Sequence, residues 1–377
     1  MRLVTILGAR PQFIKAAAVT RAISEYNSNV PGTDREIEEI IVHTGQHFDA
    51  NMSDVFFDQL RIPTPKFSLG VAGLSHGAMT GRMLEGIESV LLQVRPDWVL
   101  VYGDTNSTLA GALAAVKLGL PVAHLEAGLR SHNLDMPEEI NRVLTDRSSM
   151  LLLCPTRIAV GNLAQEGFPF AAPLGRIQQV EQVGDVMLDV VLRTRAVAAA
   201  SCSLADWNLE EKRYALCTLH RQENTDGPER LSSIVTALRD IARELPVLLP
   251  LHPRTRQRLV QLGVDGLAGV QVIAPLPYLQ MQRLLMSAKV VLTDSGGLQK
   301  EAFFHRIPCV TLRDETEWGE TVEAGWNQLT GADPAKIIGA VAHLSNSMAE
   351  PRNLFGDGTA ATSVVAALRS YGGGRTR

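Results

Sequence analysis

The chain has 377 residues, of which 45% are hydrophobic and 20% charged, and its formal net charge is −4. That length accommodates two ordinary domains of globular composition, and the lack of a strong basic block argues against nucleic acid as a partner. No apolar run approaches the roughly 18 residues of a membrane span, and the N-terminal MRLVTILGARPQFIK has too short an apolar core for a signal peptide. We therefore expect a cytoplasmic protein without a membrane partner.

The four cysteines are scattered along the chain. None of Cys154, Cys202, Cys217 and Cys309 forms a pair with metal-ligand spacing. Three of them lie in apolar, strand-like runs, which is typical of buried free thiols in a reducing compartment. The sequence thus predicts no metal site.

Short apolar runs alternate with helical patterns along the chain. The strand-like runs are residues 3–7, 37–43, 98–102, 121–125, 151–154, 179–183, 214–219, 247–251, 270–273, 290–293, 308–312 and 328–330. Helical patterns lie between most of them, for instance residues 105–118, 229–243 and 279–287. Such alternation predicts parallel sheets with helices on both faces.

That many strands exceed one compact sheet, so we predict an α/β protein with two doubly wound, Rossmann-like domains facing a central cleft. The predicted boundary follows the segment FPFAAPLG, which gives an N-terminal domain of residues 1–178 and a C-terminal domain of residues 179–359. A last helix at 360–371 is expected to complete the first domain. Ligands bind at the carboxyl ends of parallel strands, so the chemistry should lie in the loops that follow them.

The loop after the first strand reads GARPQFIK and opens a helix at Pro11, a favourable first helical residue. Arg10 and Lys15 flank this turn, which indicates phosphate or carboxylate binding rather than surface solvation. The loop lacks both GxGxxG and GxxxxGK[ST], which disfavours a nicotinamide cofactor and a P-loop.

Two carboxylates directly follow buried strands of the first domain. Asp104 precedes a helix that Thr105 or Asn106 can cap equally well, so Asp104 is available for chemistry. Glu126 is expensive to bury unless it has a function or a partner, and Arg130 is the candidate partner.

A third carboxylate, Glu138, stands with Glu139 in the first turn of a helix that begins at Pro137. Acidic residues there complement the helix dipole, and we assign Glu139 to that role. For Glu138 the sequence leaves both interpretations open, a reactive group or a dipole complement.

His220 follows the first long strand of the second domain, in TLHRQEN. A lone histidine is more often structural, but one at a strand end beside Arg221 is a candidate phosphate ligand. The sequence thus predicts carboxylates in the first domain and phosphate binders in the second.

Residues 290–310, VVLTDSGGLQKEAFFHRIPCV, read as strand, glycine turn, helix, loop and strand. At Ser295, Gly296 and Gly297 a ligand can approach the backbone and meet the free N–H groups of the helix start, which favours a phosphate. Glu301, one to two turns further on, is placed to accept ribose hydroxyls. The alternative is an ordinary strand-to-helix turn.

Together these segments resemble one family. GARPQFIK, TGQH, GDTNSTLAGALAA, HLEAGLRS, PEEINR, CPT, LHRQEN and DSGGLQKEA match the non-hydrolysing UDP-N-acetylglucosamine 2-epimerases over nearly the whole chain. The resemblance implies a GT-B fold, a UDP-sugar substrate, no cofactor and a homodimer.

The resemblance also implies individual roles. UDP contacts are implied at Arg10, His220, Ser295, Gly296, Gly297 and Glu301. Catalytic or sugar-contacting roles are implied at Lys15, Asp104, Glu126, Glu138 and His220. Arg130, Arg142 and Arg313 are the cations expected in or near the sugar site.

Many bacterial members bind a second UDP-sugar as an allosteric activator. Gln46, His47 and Arg82 match part of that site, whereas Asp49 departs from the glutamine common there. The resemblance therefore implies only a partial match to the activator site.

The identity of the sugar is open between two branches. UDP-N-acetylglucosamine (UDP-GlcNAc) ranks first by its frequency in the family, while HTGQHFDANMSDVFF and RDETEW resemble enzymes of UDP-2,3-diacetamido-2,3-dideoxy-glucuronate. Arg313 is the candidate to bind a sugar carboxylate, and a salt bridge to Asp314 or Glu315 is its alternative. A GT-B glycosyltransferase and a hydrolysing epimerase are the rival activities.

Overall fold

The computed structural model describes residues 1–46, 62–170, 177–251, 253–261, 267–344 and 353–371. The chain divides into two compact units, Met1–Leu192 with Asn353–Arg377, and Arg193–Arg352. Each unit contains one parallel sheet.

The first unit is built on seven strands. They are β1 Arg2–Leu7, β2 Glu38–His43, β3 Phe67–Ser68, β4 Trp98–Tyr102, β5 Val122–Leu125, β6 Leu151–Cys154 and β7 Gln179–Gln182. Their order in the sheet is β3-β2-β1-β4-β5-β6-β7, and every pair is parallel. The order reverses between β1 and β4, where the loops diverge and where ligands bind in doubly wound sheets.

Helices cover this sheet. They are α1 Arg10–Ser28, α2 His76–Val94, α3 Asn106–Lys117, α4 Pro137–Ser148, α5 Arg157–Gln165, α6 Val186–Ala199, whose C-terminal end crosses into the second unit, and α14 Ala360–Tyr371. Because both faces are covered, β4 (WVLVY) and β6 (LLLC) are apolar and buried at every position. Gly111 lets α3 approach the sheet, since a Cβ there would stand 3.0 Å from the Val101 side chain.

The second unit repeats the same architecture with six strands. They are β8 Ala215–Thr218, β9 Val247–Pro250, β10 Val270–Ile273, β11 Val290–Thr293, β12 Cys309–Thr311 and β13 Asn327–Leu329, in the parallel order β10-β9-β8-β11-β12-β13. Its helices are α7 Gln222–Thr225, α8 Pro228–Ile241, α9 Pro253–Gln261, α10 Tyr278–Ser287, α11 Gly296–Phe304, α12 Gly319–Glu323 and α13 Pro334–Leu344, with a 3-10 turn at Leu204–Trp207. Here the strand order reverses between β8 and β11.

The predicted fold class, two Rossmann-like units with parallel sheets, is confirmed. All twelve predicted strands are present, each end displaced by at most one residue. Sequence analysis missed β3, a two-residue edge strand paired with Val42 and His43, because so short a strand has no periodicity.

The predicted boundary after residue 178 is wrong. β7 pairs with β6 from Leu151 opposite Gln179 to Cys154 opposite Gln182. The hydrogen bonds of the first sheet therefore hold residues 179–182 in the first unit. The division falls after Leu192. The last helix, α14, packs on α1 in the first unit, where the guanidinium of Arg369 lies 5.7 Å from the ring centroid of Tyr26.

Asp189 on α6 caps α14. Its carboxylate oxygens accept hydrogen bonds from the backbone N–H groups of Ala360 (3.2 Å) and Ala361 (2.8 Å), and the side chain is buried. These N–H groups lie in the first helical turn, where no intrahelical acceptor exists. The cap therefore fastens a distant part of the chain to the first unit.

We predict that Asp189→Ala lowers the free energy of unfolding by about 1–2 kcal/mol, the usual value of a lost helix cap. Urea unfolding followed by circular dichroism measures the change. Asp357→Ala is the control, because that exposed carboxylate bonds only within its own loop, to Thr359. Equal losses in the two variants would show that Asp189 does not fasten α14.

Candidate functional site

The predicted site residues occupy the loops at the carboxyl ends of the strands in each unit. The first unit holds a group of ion-paired carboxylates after β4 and β5. The second unit holds a histidine and a glycine turn after β8 and β11. The two groups are described separately.

Lys15 and Glu126 form a buried ion pair, in which Nζ of Lys15 donates to Oε2 of Glu126. Lys15 comes from α1 and Glu126 from the end of β5, so the pair joins two loops at the sheet edge. The prediction that Arg130 would pair with Glu126 is wrong. Lys15 compensates this charge, and the guanidinium of Arg130 is engaged elsewhere.

The backbone around this pair is unusual. Glu126 has φ 76° and Gly103 has φ 62°, both in the left-handed region. A Cβ at Gly103 would lie 3.1 Å from Oε2 of Glu126 and 3.4 Å from Nζ of Lys15, so a side chain there would crowd the pair. A non-glycine residue in this conformation costs on the order of 1–3 kcal/mol, a strain that is concentrated at functional sites.

Asp104 is held by α4. Arg142, only 2% exposed, donates to Oδ2 of Asp104 from Nη2 (2.6 Å) and Nε (3.1 Å), and Asn141 donates to the Asp104 carbonyl. About a third of the Asp104 side chain stays exposed. Thr105 caps α3 by accepting from the N–H of Thr108, as the sequence allowed, so the Asp104 carboxylate is not needed as a cap.

The two acidic residues at the start of α4 differ in environment. Glu138 is half-buried, whereas Glu139 is buried and accepts from the N–H groups of Ser131 and His132 (both 3.0 Å) and from Arg142 (2.6 Å). Burial acts to raise the pKa of Glu139, but these hydrogen bonds and the charge of Arg142 outweigh it and lower the pKa. Glu139 therefore does more than complement the helix dipole, because it fixes both a loop and Arg142.

Behind these residues lies a buried network centred on Asp146. His124 hydrogen-bonds Oδ1 of Asp146 through Nδ1 (2.7 Å) and the carbonyl of Gly103 through Nε2 (2.7 Å). Oδ2 of Asp146 accepts from Arg130 (2.8 Å) and from the N–H of Gly128 (3.2 Å). The network thus ties the loop of Asp104 to the loop of Glu126.

Charge keeps this network together. Burial acts to raise the pKa of Asp146, but the charges and hydrogen bonds of His124 and Arg130 outweigh it and hold the pKa below its usual value. Arg130 also donates to both carboxylate oxygens of Glu166, at 2.6 and 2.9 Å.

In the second unit, Asp294 orients His220. Asp294 is fully buried, and its carboxylate accepts from the N–H groups of His220 (3.0 Å) and Arg221 (2.9 Å) and lies 3.0 Å from Nδ1 of His220. The His220 ring remains about half exposed. Because a carboxylate only accepts, the Nδ1 proton points at Asp294 and Nε2 is left for a ligand.

The glycine turn begins α11 as predicted. Ser295 caps this helix by accepting from the N–H of Leu298 (3.5 Å). A Cβ at Gly296 would collide with Oε1 of Glu317, whereas one at Gly297 would meet only the Ser295 hydroxyl at 3.9 Å. A side chain at Gly296 would therefore displace the Glu317 carboxylate, whereas Gly297 leaves the helix N-terminus open.

Arg313 is buried and paired. Its Nη1 donates to Glu317 (3.0 Å), and its Nε lies 3.8 Å from Oε1 of Glu223. The predicted alternative of a salt bridge to Asp314 is wrong, since Asp314 pairs with Arg230 (2.9 Å). The alternative of a salt bridge to Glu315 stays a prediction. A sugar carboxylate that bound Arg313 would have to share the guanidinium with Glu317.

Glu301 on α11 has a buried donor. Nε2 of Gln282 donates to Oε2 of Glu301 at 2.9 Å, and the Glu301 side chain is almost fully buried. A ligand hydroxyl would therefore meet a carboxylate with one position already occupied.

The remaining predicted residues lie in the first unit. Arg10 is the first residue of α1 and is half-buried, Arg82 is exposed on α2, and Gln46 accepts from the N–H (3.1 Å) and hydroxyl (2.7 Å) of Ser107. His47 lies outside the described residues. The predicted activator site thus has only two described members.

Within the described ranges, no group of three or more His, Cys, Asp and Glu side chains is arranged to hold a metal ion. None of the described helices is long and apolar enough to cross a membrane. The four cysteines are free thiols, and Cys154, Cys217 and Cys309 are buried.

Sequence analysis missed four residues that organise the site: His124, Asp146, Gln282 and Asp294. Asp294 directly precedes the SGG turn, so its position at the end of a buried strand was a usable signal. The other three lie in ordinary strand and helix patterns, and only their contacts reveal them.

Comparison with known proteins shows the family of the chain. Residues 32–369 match the family model of UDP-N-acetylglucosamine 2-epimerase. The UDP-2,3-diacetamido-2,3-dideoxy-D-glucuronate 2-epimerase of Pseudomonas aeruginosa is 52% identical over 97% of this chain and 98% of its own. The UDP-N-acetylglucosamine 2-epimerase of Methanocaldococcus jannaschii is 42% identical over 99% of this chain and 100% of its own.

Solved structures agree. The M. jannaschii enzyme in complex with UDP-GlcNAc and UDP superposes with a TM-score of 0.87 at 41% identity, covering 98% of this chain and all of that one. The Neisseria meningitidis enzyme bound to UDP-GlcNAc gives 0.85 at 29% identity, covering 98% and 100%. The chain belongs to the UDP-N-acetylglucosamine 2-epimerase family, which confirms the predicted family and the predicted class of enzyme, an epimerase.

We predict that Asp146→Asn destabilises the protein by about 3 kcal/mol near neutral pH, because it leaves Arg130 and His124 without their buried counter-charge. The pKa of Asp146 is lower in the folded than in the unfolded protein. The stabilisation is therefore complete above the unfolded value of about 3.9 and is lost as the pH falls through the folded value.

The gap in free energy of unfolding between the wild type and Asp146→Asn should therefore narrow as the pH falls below about 4. Urea titrations at several pH values measure it. Glu166→Gln, which alters the more exposed partner of Arg130, is the control and should cost much less. A gap that is constant with pH would contradict the assignment.

Proposed function

We propose that this protein inverts the configuration at C2 of a UDP-activated 2-acetamido sugar and retains the UDP in the product. The observation that carries the proposal is the group of fixed carboxylates after β4 and β5, in a chain of this family. Lys15 compensates Glu126 and Arg142 holds Asp104, and an acid and a base need such placement.

The chemistry explains why several carboxylates are needed. H2 of the sugar is not acidic, since no carbonyl adjoins C2, so its removal requires an electron sink. Loss of UDP from C1 provides it: a base takes H2, the C–H electrons form a C1=C2 bond, and the C1–O electrons leave with UDP. Return of a proton to the opposite face of C2, with re-addition of UDP to C1, completes the inversion.

Two faces of C2 require two proton-transfer groups. Asp104, Glu126 and Glu138 are the proposed set, all carried by strand-end or helix-start segments of the first unit. Asp104 and Glu138 are partly exposed and reachable by a ligand, and the strained backbone of Glu126 is typical of a functional residue. Lys15 is proposed to hold Glu126, and Arg142 to hold Asp104.

Departure of UDP requires stabilisation of the diphosphate charge. In the second unit, His220 offers Nε2 because Asp294 engages Nδ1, and the N-terminus of α11 offers the backbone N–H groups of Gly296 and Gly297. The N–H of Ser295 donates instead to the Thr293 hydroxyl (2.9 Å). The UDP contact of Arg10 stays a prediction from the family resemblance. Glu301 is proposed to accept the ribose hydroxyls.

For the sugar we propose the 2,3-diacetamido-2,3-dideoxy-glucuronate, ahead of UDP-GlcNAc. Sequence analysis placed UDP-GlcNAc first, but 52% identity to the P. aeruginosa uronate enzyme exceeds the 42% to the M. jannaschii UDP-GlcNAc enzyme. UDP-GlcNAc remains the second candidate because a similar structure holds it. A homodimer and a second UDP-sugar near Gln46 and Arg82 stay predictions.

The proposed function is tested by incubating the protein with each UDP-sugar in D2O and recording NMR spectra. We expect deuterium at C2 with the sugar still attached to UDP, and a higher kcat/KM for the uronate. Free sugar would indicate hydrolysis instead. If neither sugar exchanges H2, the protein is not an epimerase of these substrates, and a transferase becomes the better interpretation.

The proton-transfer roles are tested one residue at a time. We expect Asp104→Asn, Glu126→Gln and Glu138→Gln each to lower kcat by about 100-fold or more, the usual weight of a positioned acid or base. Affinity for UDP, measured by calorimetry, should change little. Asp135→Asn, an exposed carboxylate in the loop before α4, is the matched control; wild-type turnover in any of the three test variants removes that residue from the mechanism.

A further inference from the structure

Gln282 is a buried amide between two elements of the second unit. It lies on α10 and is 1% exposed. Its Nε2 donates to Oε2 of Glu301 at 2.9 Å, and its Oε1 lies 2.7 Å from Nε2 of His305, the residue that ends α11. The three side chains thus form a chain of hydrogen bonds that ends on Glu301.

The chemistry of the partners fixes the direction of this chain. The Glu301 carboxylate only accepts, so the amide nitrogen of Gln282 must face it and the amide oxygen must face His305. Burial lowers the pKa of His305 to about 4, so the ring carries a single proton near neutral pH. That proton lies on Nε2, because Nε2 faces the amide oxygen.

This arrangement restricts Glu301. A glutamate side chain has several rotatable bonds and would lose their freedom on binding a ligand. Here one carboxylate oxygen already holds a donor that cannot turn, because Gln282 is anchored at its other end by His305. The plane of the Glu301 carboxylate is therefore set before a ligand arrives.

We propose that Gln282 is a positioning residue, which holds Glu301 so that its carboxylate accepts the hydroxyls of a ribose and thereby selects ribonucleotides over deoxyribonucleotides. The proposal deepens the proposed function and rests on the UDP specificity stated there. His305 contributes to the same role by donating to the amide oxygen of Gln282.

The ribose is the fitting ligand because its two neighbouring hydroxyls are both donors. A fixed carboxylate can accept from both, whereas a 2′-deoxyribose offers one hydroxyl fewer and leaves a desolvated acceptor without a partner. Sites built in this way discriminate strongly against the ligand that lacks the hydroxyl. A carboxylate free to rotate would adapt to either sugar and discriminate less.

Calorimetry with UDP and with 2′-deoxy-UDP tests the proposal on the full-length protein. For the wild type we expect a preference for UDP of about tenfold or more. Gln282→Met keeps the volume and removes the amide, and it should weaken UDP binding while leaving 2′-deoxy-UDP binding almost unchanged, so that the preference falls severalfold. Gln282→Leu serves the same test if the Met variant does not fold.

Two controls separate positioning from a general loss of structure. Gln280→Met makes the same exchange two residues earlier on α10, and this variant should keep the wild-type preference for UDP. Glu301→Gln should abolish the preference, and adding Gln282→Met to it should cause no further loss, because the two residues act through one interaction. In Gln282→Met the KM for the UDP-sugar should rise by a larger factor than kcat falls, since the residue acts on substrate binding.

The outcomes are distinct. An unchanged preference in folded Gln282→Met, or independent losses in the double variant, overturns the inference and leaves the proposed function intact. A wild-type protein that binds UDP but shows no preference for the ribonucleotide also overturns the inference alone. A wild-type protein that fails to bind UDP overturns the proposed function and the inference with it.

Discussion

Two buried carboxylates hold the loops of the candidate site, one in each unit. Asp146 and Asp294 are both fully excluded from solvent, where an isolated carboxylate would be very unfavourable. Each has the Nδ1 of a histidine as a partner, His124 for Asp146 and His220 for Asp294. Asp146 also accepts from Arg130 and the N–H of Gly128, and Asp294 from the N–H groups of His220 and Arg221. The requirement to compensate these charges fixes the course of the loops, and with it the placement of every side chain on them.

The contacts of Asp146 also hold a strained stretch of backbone in the first unit. The left-handed backbone of Gly103, Glu126 and Gly128 brings a carboxylate and an ammonium group together at the edge of the first sheet. Such conformations persist only where surrounding contacts over-determine them, and the Asp146 network supplies those contacts. The same division of roles recurs at Arg142, which is buried so that Asp104 can remain partly exposed. Asp104 thus stays partly accessible while its partner is buried, whereas Glu126 and Lys15 are both buried.

The candidate site could be predicted in part, and the limits have a physical cause. The sequence placed Asp104, Glu126 and His220 in loops that follow strands, and the structure has them there. Parallel strands gather their carboxyl ends at one edge of the sheet, so such positions can be read from the strand pattern. Partner choice was not predictable. Arg130 is close to Glu126 in sequence, but the ammonium group that pairs with Glu126 comes from Lys15 on α1. The guanidinium of Arg130 points instead to Asp146 and Glu166.

The sequence by itself determined the fold class, the strand positions and the family, because buried parallel strands read as apolar runs and the loop motifs are specific in combination. Only the tertiary structure decided the unit boundary, since β7 belongs to the first sheet through its hydrogen bonds to β6 and not through its own composition. It alone also revealed Gln282 and Asp146, and it assigned the partners of Asp294. Their roles arise from contacts between residues far apart in the chain. A local sequence pattern does not predict which distant residue a buried polar group contacts.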